Sequence, residues 1–191
     1  QKGLDQLKEQ MDAMRAQGAE FVVVFMHWGQ EYHTESSPLQ KTLARRIAEM
    51  GADLIIGAHP HVLQNVDEYV TKSAKKVFIC YSLGNLVSNM SFNQKIGKGR
   101  CETGALALFR LARRENGEVC IDACGYLTTY VHKPNVAKQY EYKGAVRRRT
   151  VRAYAILPAA HAVKNPSLYA GLGGRLLARA AQGVKNGRAI M

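Results

Sequence analysis

The most constraining feature of the chain is an early alternation of helical and strand-like periodicity. Leu4, Leu7, Met11 and Met14 recur at three- and four-residue steps, one apolar face of a helix, and Gly18 stands where such a helix would close. Residues 20–26 are then rich in Val and Phe and predict a fully buried strand. Ser37-Pro38 has the form of a helix start, with Ser as N-cap and Pro at the first helical position. Leu39, Leu43, Ile47 and Met50 give that helix its buried face, Gly51 ends it, and residues 53–57 predict a second buried strand. Helix, strand, helix, strand in this order implies parallel strands joined by right-handed crossovers.

The pattern changes after His61. Residues 62–70, 76–82, 104–111, 118–124 and 150–157 read as strands, and Asn116-Gly117 supplies a hairpin turn between the third and fourth. Asn165-Pro166 opens a last helix with Leu168, Leu172, Leu176 and Ala180 on one face, weakened by Gly171, Gly173 and Gly174. The fold class expected is α/β, a parallel βαβ portion followed by mostly antiparallel strands. Residues 84–103 carry no periodic signal, a length that suits a functional loop.

Composition excludes several classes. With 191 residues, 47% hydrophobic and 22% charged, the chain is neither a disordered polymer nor a disulfide-dense toxin. Its longest apolar run spans residues 21–26, whereas a bilayer-spanning helix needs roughly 20 residues, so none is expected here. The net charge of +12 is uneven: residues 1–70 hold six Lys/Arg against ten Asp/Glu, and residues 71–191 hold 21 against five. A basic second part fits an anionic partner, and equally a solvated surface that keeps the chain soluble. Cys80 reads as a core residue. Cys120 and Cys124, about 13 Å apart along one strand, are too far apart for a disulfide, while a link from Cys101 to either stays open.

Three histidines stand where a buried strand runs out: His27 after the first, His59 and His61 after the second. Ligands of parallel sheets bind beyond the carboxyl ends of the strands, so two neighbouring strands would bring all three to one rim. Pro60 is expected to hold His59 extended, which would point His59 and His61 to the same side. Neutral imidazoles suit zinc and its first-row neighbours, so a metal site of His27, His59 and His61 is the expectation. Glu31 is a further ligand, an orienter of an imidazole, a general base, or a solvent-exposed loop charge. Asn85, after Gly84, is a ligand-facing amide or a turn residue. His33 lacks a strand context and reads as a surface residue.

His27-Trp28-Gly29-Gln30-Glu31-Tyr32, the block from Gly51 to Val62 containing Gly57-Ala58-His59-Pro60-His61, and Tyr81-Ser82-Leu83-Gly84-Asn85 together resemble the bacterial capsule-synthesis proteins of the CapA, or poly-γ-glutamate biosynthesis, type. That family is a branch of the calcineurin-like metallophosphoesterase superfamily, and the resemblance covers about residues 1–130. It implies an α/β/β/α sandwich of which this chain is the C-terminal half, with residues 131–191 a basic extension of unknown role. It implies that His27, His59 and His61 are metal ligands and that Glu31 and Asn85 are catalytic or substrate-side groups. The expected cofactor is a divalent metal (Mn, Zn or Fe), dinuclear only in the intact protein. The aspartates and Asn-His pair that the superfamily's first half supplies are missing: the chain has no Gly-Asp and no Asn-His dipeptide.

Two functions follow as expectations. One is a metal-dependent, phosphoesterase-like hydrolase component of capsule or poly-γ-glutamate production, complete only when joined to the missing N-terminal half. The other is a non-enzymatic module whose basic segment, including Arg147, Arg148, Arg149 and Arg152, holds an anionic cell-surface polymer. The expected partners are thus an anionic polymer or a phosphorylated substrate. The family's usual location is outside the cytoplasmic membrane, anchored through upstream sequence. No nucleic-acid motif accompanies the arginine run, and nucleic acid is not an expected partner.

Overall fold

The computed structural model describes residues 2–90, 100–172 and 174–188. It begins with α1 (Lys2–Ala16), β1 (Val23–His27), α2 (Pro38–Glu49) and β2 (Leu54–Ala58), the alternation anticipated from the sequence. Next come β3 (Val66–Val70) and β4 (Lys76–Cys80), which complete a four-stranded sheet of order β1-β2-β4-β3. β1, β2 and β4 run parallel and β3 is antiparallel to β4. The parallel strands therefore end on one edge, and everything that follows β1, β2 and β4 in the chain starts from that rim.

α2 is fixed by its first turn. Ser37 Oγ accepts from the Gln40 amide at 3.2 Å, and Gln40 Oε1 accepts from the Ser37 amide at 3.0 Å, a reciprocal capping box with Pro38 at the helix start. The helices cover one face of the sheet. Met11, Val22, Val24, Ala44, Ile47, Ile55, Val77, Ile79 and Tyr81 form the buried core there.

The opposite face is only partly covered, which corrects the expectation of a fully buried first strand. Along β1 exposure alternates, and Phe25 on the outer face is 77% exposed. Phe78 of β4 does find a partner there, Phe109, with ring centroids 6.2 Å apart.

Phe109 belongs to the second sheet, β5 (Thr103–Arg113), β6 (Val119–His132) and β9 (Ala155–Pro158), all antiparallel in the order β5-β6-β9. The hairpin between β5 and β6 turns at Gly117, φ +84°, as Asn-Gly predicts. β7 (Asn135–Tyr142) and β8 (Ala145–Arg152) form a separate two-stranded hairpin. α3 (Ala159–Lys164), a 3-10 turn (Pro166–Leu172) and α4 (Gly174–Arg188) end the chain, with Ala159, Ala162 and Ala180 packed around Tyr130 of β6.

Several expected boundaries move. Residues 62–65 are loop rather than strand, tied to the segment after β4 by a bridge between Leu63 and Leu83 and by the Gln64 amide donating to the Ser82 carbonyl at 3.0 Å. The expected strand over 150–157 is two strands, because the Ala153 amide turns aside to donate to the Pro134 carbonyl. The single last helix is a 3-10 turn and a separate helix. β7 and α3 carried no signal strong enough to read. The nine residues 91–99 of the expected loop lie outside the described residues. All four cysteines are free thiols, so the Cys101 link is not made.

Two close approaches set the sheet edge. A Cβ on Gly57 would lie 2.0 Å from the Tyr81 carbonyl oxygen and 2.4 Å from Trp28 Nε1, so only glycine lets β2 pass between them. Trp28 fills that place, donating from Nε1 to the Tyr81 carbonyl at 2.9 Å and stacking on the Tyr81 ring. Below the rim, buried Asp53 accepts from the Val22 amide at 2.6 Å and pairs with Arg15 and Lys75, joining the start of β2 to α1 and β1.

Gly57→Ala is expected to lower unfolding free energy by about 3 kcal/mol, measured by urea denaturation, because a backbone atom blocks the added methyl. Burial pushes the Cys80 thiol up to about 12 and also raises that of Cys101. At pH 8 both remain protonated, so maleimide or iodoacetamide should label exposed Cys124 in the native chain and reach Cys80 only after unfolding.

Candidate metal centre

His27 is the last residue of β1, and His59 and His61 follow β2. Because the two strands are parallel, with His27 opposite Ala58, the three imidazoles share one rim. The His27 and His59 ring centroids are 4.6 Å apart, and those of His59 and His61 6.3 Å. The turn that brings them there differs from expectation. His59 has φ +103° and His61 φ +59°, so the His-Pro-His segment is a strained turn and not an extended strand. Its Pro60 carbonyl accepts from the Tyr32 amide at 2.8 Å, which ties the β2 turn to the loop after β1.

The third strand of the parallel set contributes Asn85. Its Oδ1 lies 3.0 Å from His61 Nδ1, while its Nδ2 donates to the Cys101 carbonyl at 2.8 Å and the His61 carbonyl at 3.3 Å. The buried amide is thereby oriented: with Nδ2 committed as donor, Oδ1 receives the Nδ1 proton of His61 and leaves Nε2 with its lone pair. Glu31 Oε1 is 3.8 Å from that Nε2. Tyr32 stacks near His61 at 6.2 Å, and burial, followed by the neighbouring Glu31, raises its phenol above the ordinary range, so it stays a neutral donor. His27, Glu31, His59, His61 and Asn85 are thus brought together. His33 instead sets Nδ1 3.0 Å from the Glu31 carbonyl at the exposed margin.

The loop carrying Glu31 is anchored from below. Gln40 donates to Gln64 at 2.9 Å, and Gln64 donates to the His33 and Glu35 carbonyls at 2.8 and 3.2 Å. Both amides are buried, so the loop's orphan carbonyls are satisfied without water.

The donor set has the right chemistry for one divalent cation. Two imidazoles sharing a zinc ion at about 2.1 Å would hold their centroids roughly 5 Å apart, near the His27–His59 spacing. Among the described residues, however, no group of three His, Cys, Asp or Glu donors is gathered tightly enough to hold an ion as it stands. The nearest further donors are His61, held by Asn85, and Glu31, whose side chain is 47% exposed and has room to turn inward. The set does not fit a pair of cations. Among the described residues Glu31 is the one carboxylate against the imidazoles, and one negative charge does not hold two dications a few ångströms apart.

Behind the site lies a charged cluster that no local pattern of residues foreshadows. Glu102, 3% exposed, pairs with Lys133, 7% exposed, at 3.1 Å and with Arg179 of α4 at 3.3 Å, and it accepts from the Tyr130 hydroxyl at 3.3 Å. Lys133 also donates to the Met90 carbonyl. Glu102 adjoins Cys101, whose carbonyl holds Asn85, so the cluster braces the same segments that orient His61.

Residues 1–90 match the family model described as bacterial capsule synthesis protein PGA_cap. A capsule biosynthesis protein CapA of Bacillus anthracis is 41% identical over 119 residues, covering 62% of this chain and 26% of that protein. A PGA biosynthesis protein CapA of Bacillus subtilis (strain 168) is 40% identical over 99 residues, 52% of this chain and 23% of the relative. The aligned part of the chain thus spans about a quarter of the length of these curated relatives.

Glu102→Gln is expected to cost about 3 kcal/mol of stability in chemical denaturation, because it strips the buried Lys133 ammonium of its counter-charge. A double change to Glu102→Gln with Lys133→Met should recover part of that loss.

Proposed function

We propose that the chain, whose residues 1–90 match the bacterial capsule synthesis protein family, forms part of a protein of poly-γ-glutamate capsule biosynthesis with a metallophosphoesterase-like, metal-dependent hydrolase site. The observation that carries this reading is the close His27–His59 pair at the carboxyl ends of adjacent parallel strands, with His61 oriented beside it by Asn85. In this reading His27, His59 and His61 hold one divalent ion, Mn, Zn or Fe. Such an ion supplies a Lewis acid and lowers the pKa of a bound water.

The chain's own groups supply the rest. Asn85 fixes the tautomer of His61 so that Nε2 is the ligating nitrogen. Glu31, beside Nε2, accepts a proton from an attacking water or closes the coordination set. Tyr32 offers a neutral hydroxyl to a substrate oxygen. A second ion needs carboxylates that the longer family proteins would have to supply, together with strands to cover the bare Phe25 face of β1. The substrate in this reading is phosphorylated or an anionic polymer, met outside the cytoplasmic membrane. Among the described residues no helix is long and apolar enough to cross a membrane.

A second reading, an anionic-polymer binding module, is favoured by the concentration of cations on β7 and β8. It is compatible with the first, since a hydrolase acting on a polymer must also hold it.

Titration calorimetry of the chain with zinc or manganese chloride tests the site. One ion per chain is expected, with phosphodiester hydrolysis near background. His59→Ala with His61→Ala should abolish binding, and Asn85→Ala should weaken it by about 10–100-fold through loss of the orienting bond. Two tight sites in the isolated chain, or binding untouched by the histidine pair, would overturn the reading.

A further inference from the structure

We propose that one face of the β7–β8 hairpin, formed by Lys138, Tyr140, Tyr142, Arg147 and Arg149, is a docking surface for a polycarboxylate chain. The inference rests on the polymer reading above and adds to it the surface that would do the holding.

The hairpin is a poor structural element. Among the described residues its strands pair only with each other, and they are exposed along nearly their whole length. A two-stranded ribbon of this kind is marginal in water without further packing. Residues 135–152 nevertheless hold six cations and one anion, Glu141. The register sets Arg149 directly opposite Lys138, a like-charge cross-strand pair that destabilises the ribbon. A surface selected only for solubility would be expected to alternate signs across the strands.

Register also sorts the cations. Pairs directly opposite share a face, so Tyr140 with Arg147 and Lys138 with Arg149 lie together, and Arg148 and Arg152 lie on the other side. The second group is engaged internally. With the Gln139 amide turned so that its oxygen meets Arg148, that oxygen accepts from Nε and Nη2 at 3.0 and 3.1 Å, and Arg152 reaches Asn89 at 3.4 Å. On the first face the guanidinium groups of Arg147 and Arg149 lie over the Tyr142 and Tyr140 rings at 5.4 and 5.5 Å, and Lys143 lies 5.5 Å from the Tyr142 ring. Ring contact orders an arginine while leaving its N–H fork free for a bidentate carboxylate. Two residues on one face of a strand are roughly 7 Å apart, so Arg147 and Arg149 present a repeated fork to a repeated carboxylate.

Carboxylate polymer is favoured over nucleic acid because the tyrosines are already engaged by cations. Single-strand binding by stacking needs bare ring faces. The hairpin tip, Lys143-Gly144, has no apolar wedge with which to enter a lipid surface.

The test uses the full 191-residue chain and a fluorescent poly-glutamate of defined length, with anisotropy read at about 50 and 200 mM salt to vary the screening. Arg147→Gln with Arg149→Gln should weaken binding by about tenfold at the lower salt. Arg147→Lys with Arg149→Lys, which keeps charge but loses the planar fork, should weaken it about threefold. Arg148→Gln with Arg152→Gln, which removes equal charge from the other face, should change it by less than about twofold. Far-UV circular dichroism of each variant should match the parent. Equal losses from the two Gln pairs would mean that charge alone attracts the polymer, and tighter binding of single-stranded DNA than of poly-glutamate would mean a nucleic-acid surface. Either result overturns the proposal. Poly-glutamate binding unaffected by all three pairs would remove the hairpin assignment and leave the polymer reading standing. No binding by the parent chain would remove both.

Discussion

Everything at the rim depends on how closely β2 passes its neighbours at Gly57. The missing side chain admits the Trp28 indole and the Tyr81 carbonyl into one space, where they hydrogen-bond across the strand. That contact locks together the segments leaving β1, β2 and β4. A larger residue would separate them, and with them His27, the His59–His61 turn and Asn85. Interiors are packed too densely to absorb such a change locally. The site is therefore a consequence of backbone proximity first and of side-chain chemistry second.

The His-Pro-His turn shows the same order of causes. Left-handed backbone at two non-glycine residues costs on the order of 1–3 kcal/mol each. The structure holds it with the Tyr32 amide on the Pro60 carbonyl and the Asn85 amide on the His61 carbonyl. Strain of this kind persists where surrounding bonds over-determine it, and it is common at functional sites. What it achieves here is visible: His59 turns toward His27 while His61 turns toward Asn85 and Glu31. An extended segment would have aimed both imidazoles the same way and left His61 without its amide partner.

The βαβ portion was legible because its signals are local and strong. Ser37-Pro38 and the periodic leucines define α2, and the end of each apolar run marks where a functional group should stand, which is how His27, His59 and His61 could be placed on one rim. The details of that rim were not legible. The conformation at His59 arises from long-range hydrogen bonds that override the preference imposed by the following proline. The exposure of Phe25 could not be read either, since a run of Val and Phe looks the same whether one face or both are covered. In the second half, β7 and β8 lack alternation because both faces meet water, and the strand pattern depends on one face being buried. Glu102 and Lys133 are ordinary charged residues in sequence, and only their burial together gives them meaning.

Glu102 also explains how the last elements of the chain are held behind the site. Exposed ion pairs would hold them weakly, since such pairs contribute little and are screened by salt. A single buried carboxylate shared by Lys133, Arg179 and Tyr130 acts differently, because it is shielded from salt and each partner must be present to offset its desolvation. It draws in β6 through Tyr130, the strand's exit through Lys133 and α4 through Arg179. Lys133 then reaches the Met90 carbonyl on the segment that follows Asn85. The C-terminal elements are in this way coupled to the amide that orients His61. Such coupling gives a physical reason for the basic extension and the histidine rim to lie in one chain: the segment that emerges beyond Lys133 is the β7–β8 hairpin, so the surface carrying the free cations is tethered to the residue that steadies the site.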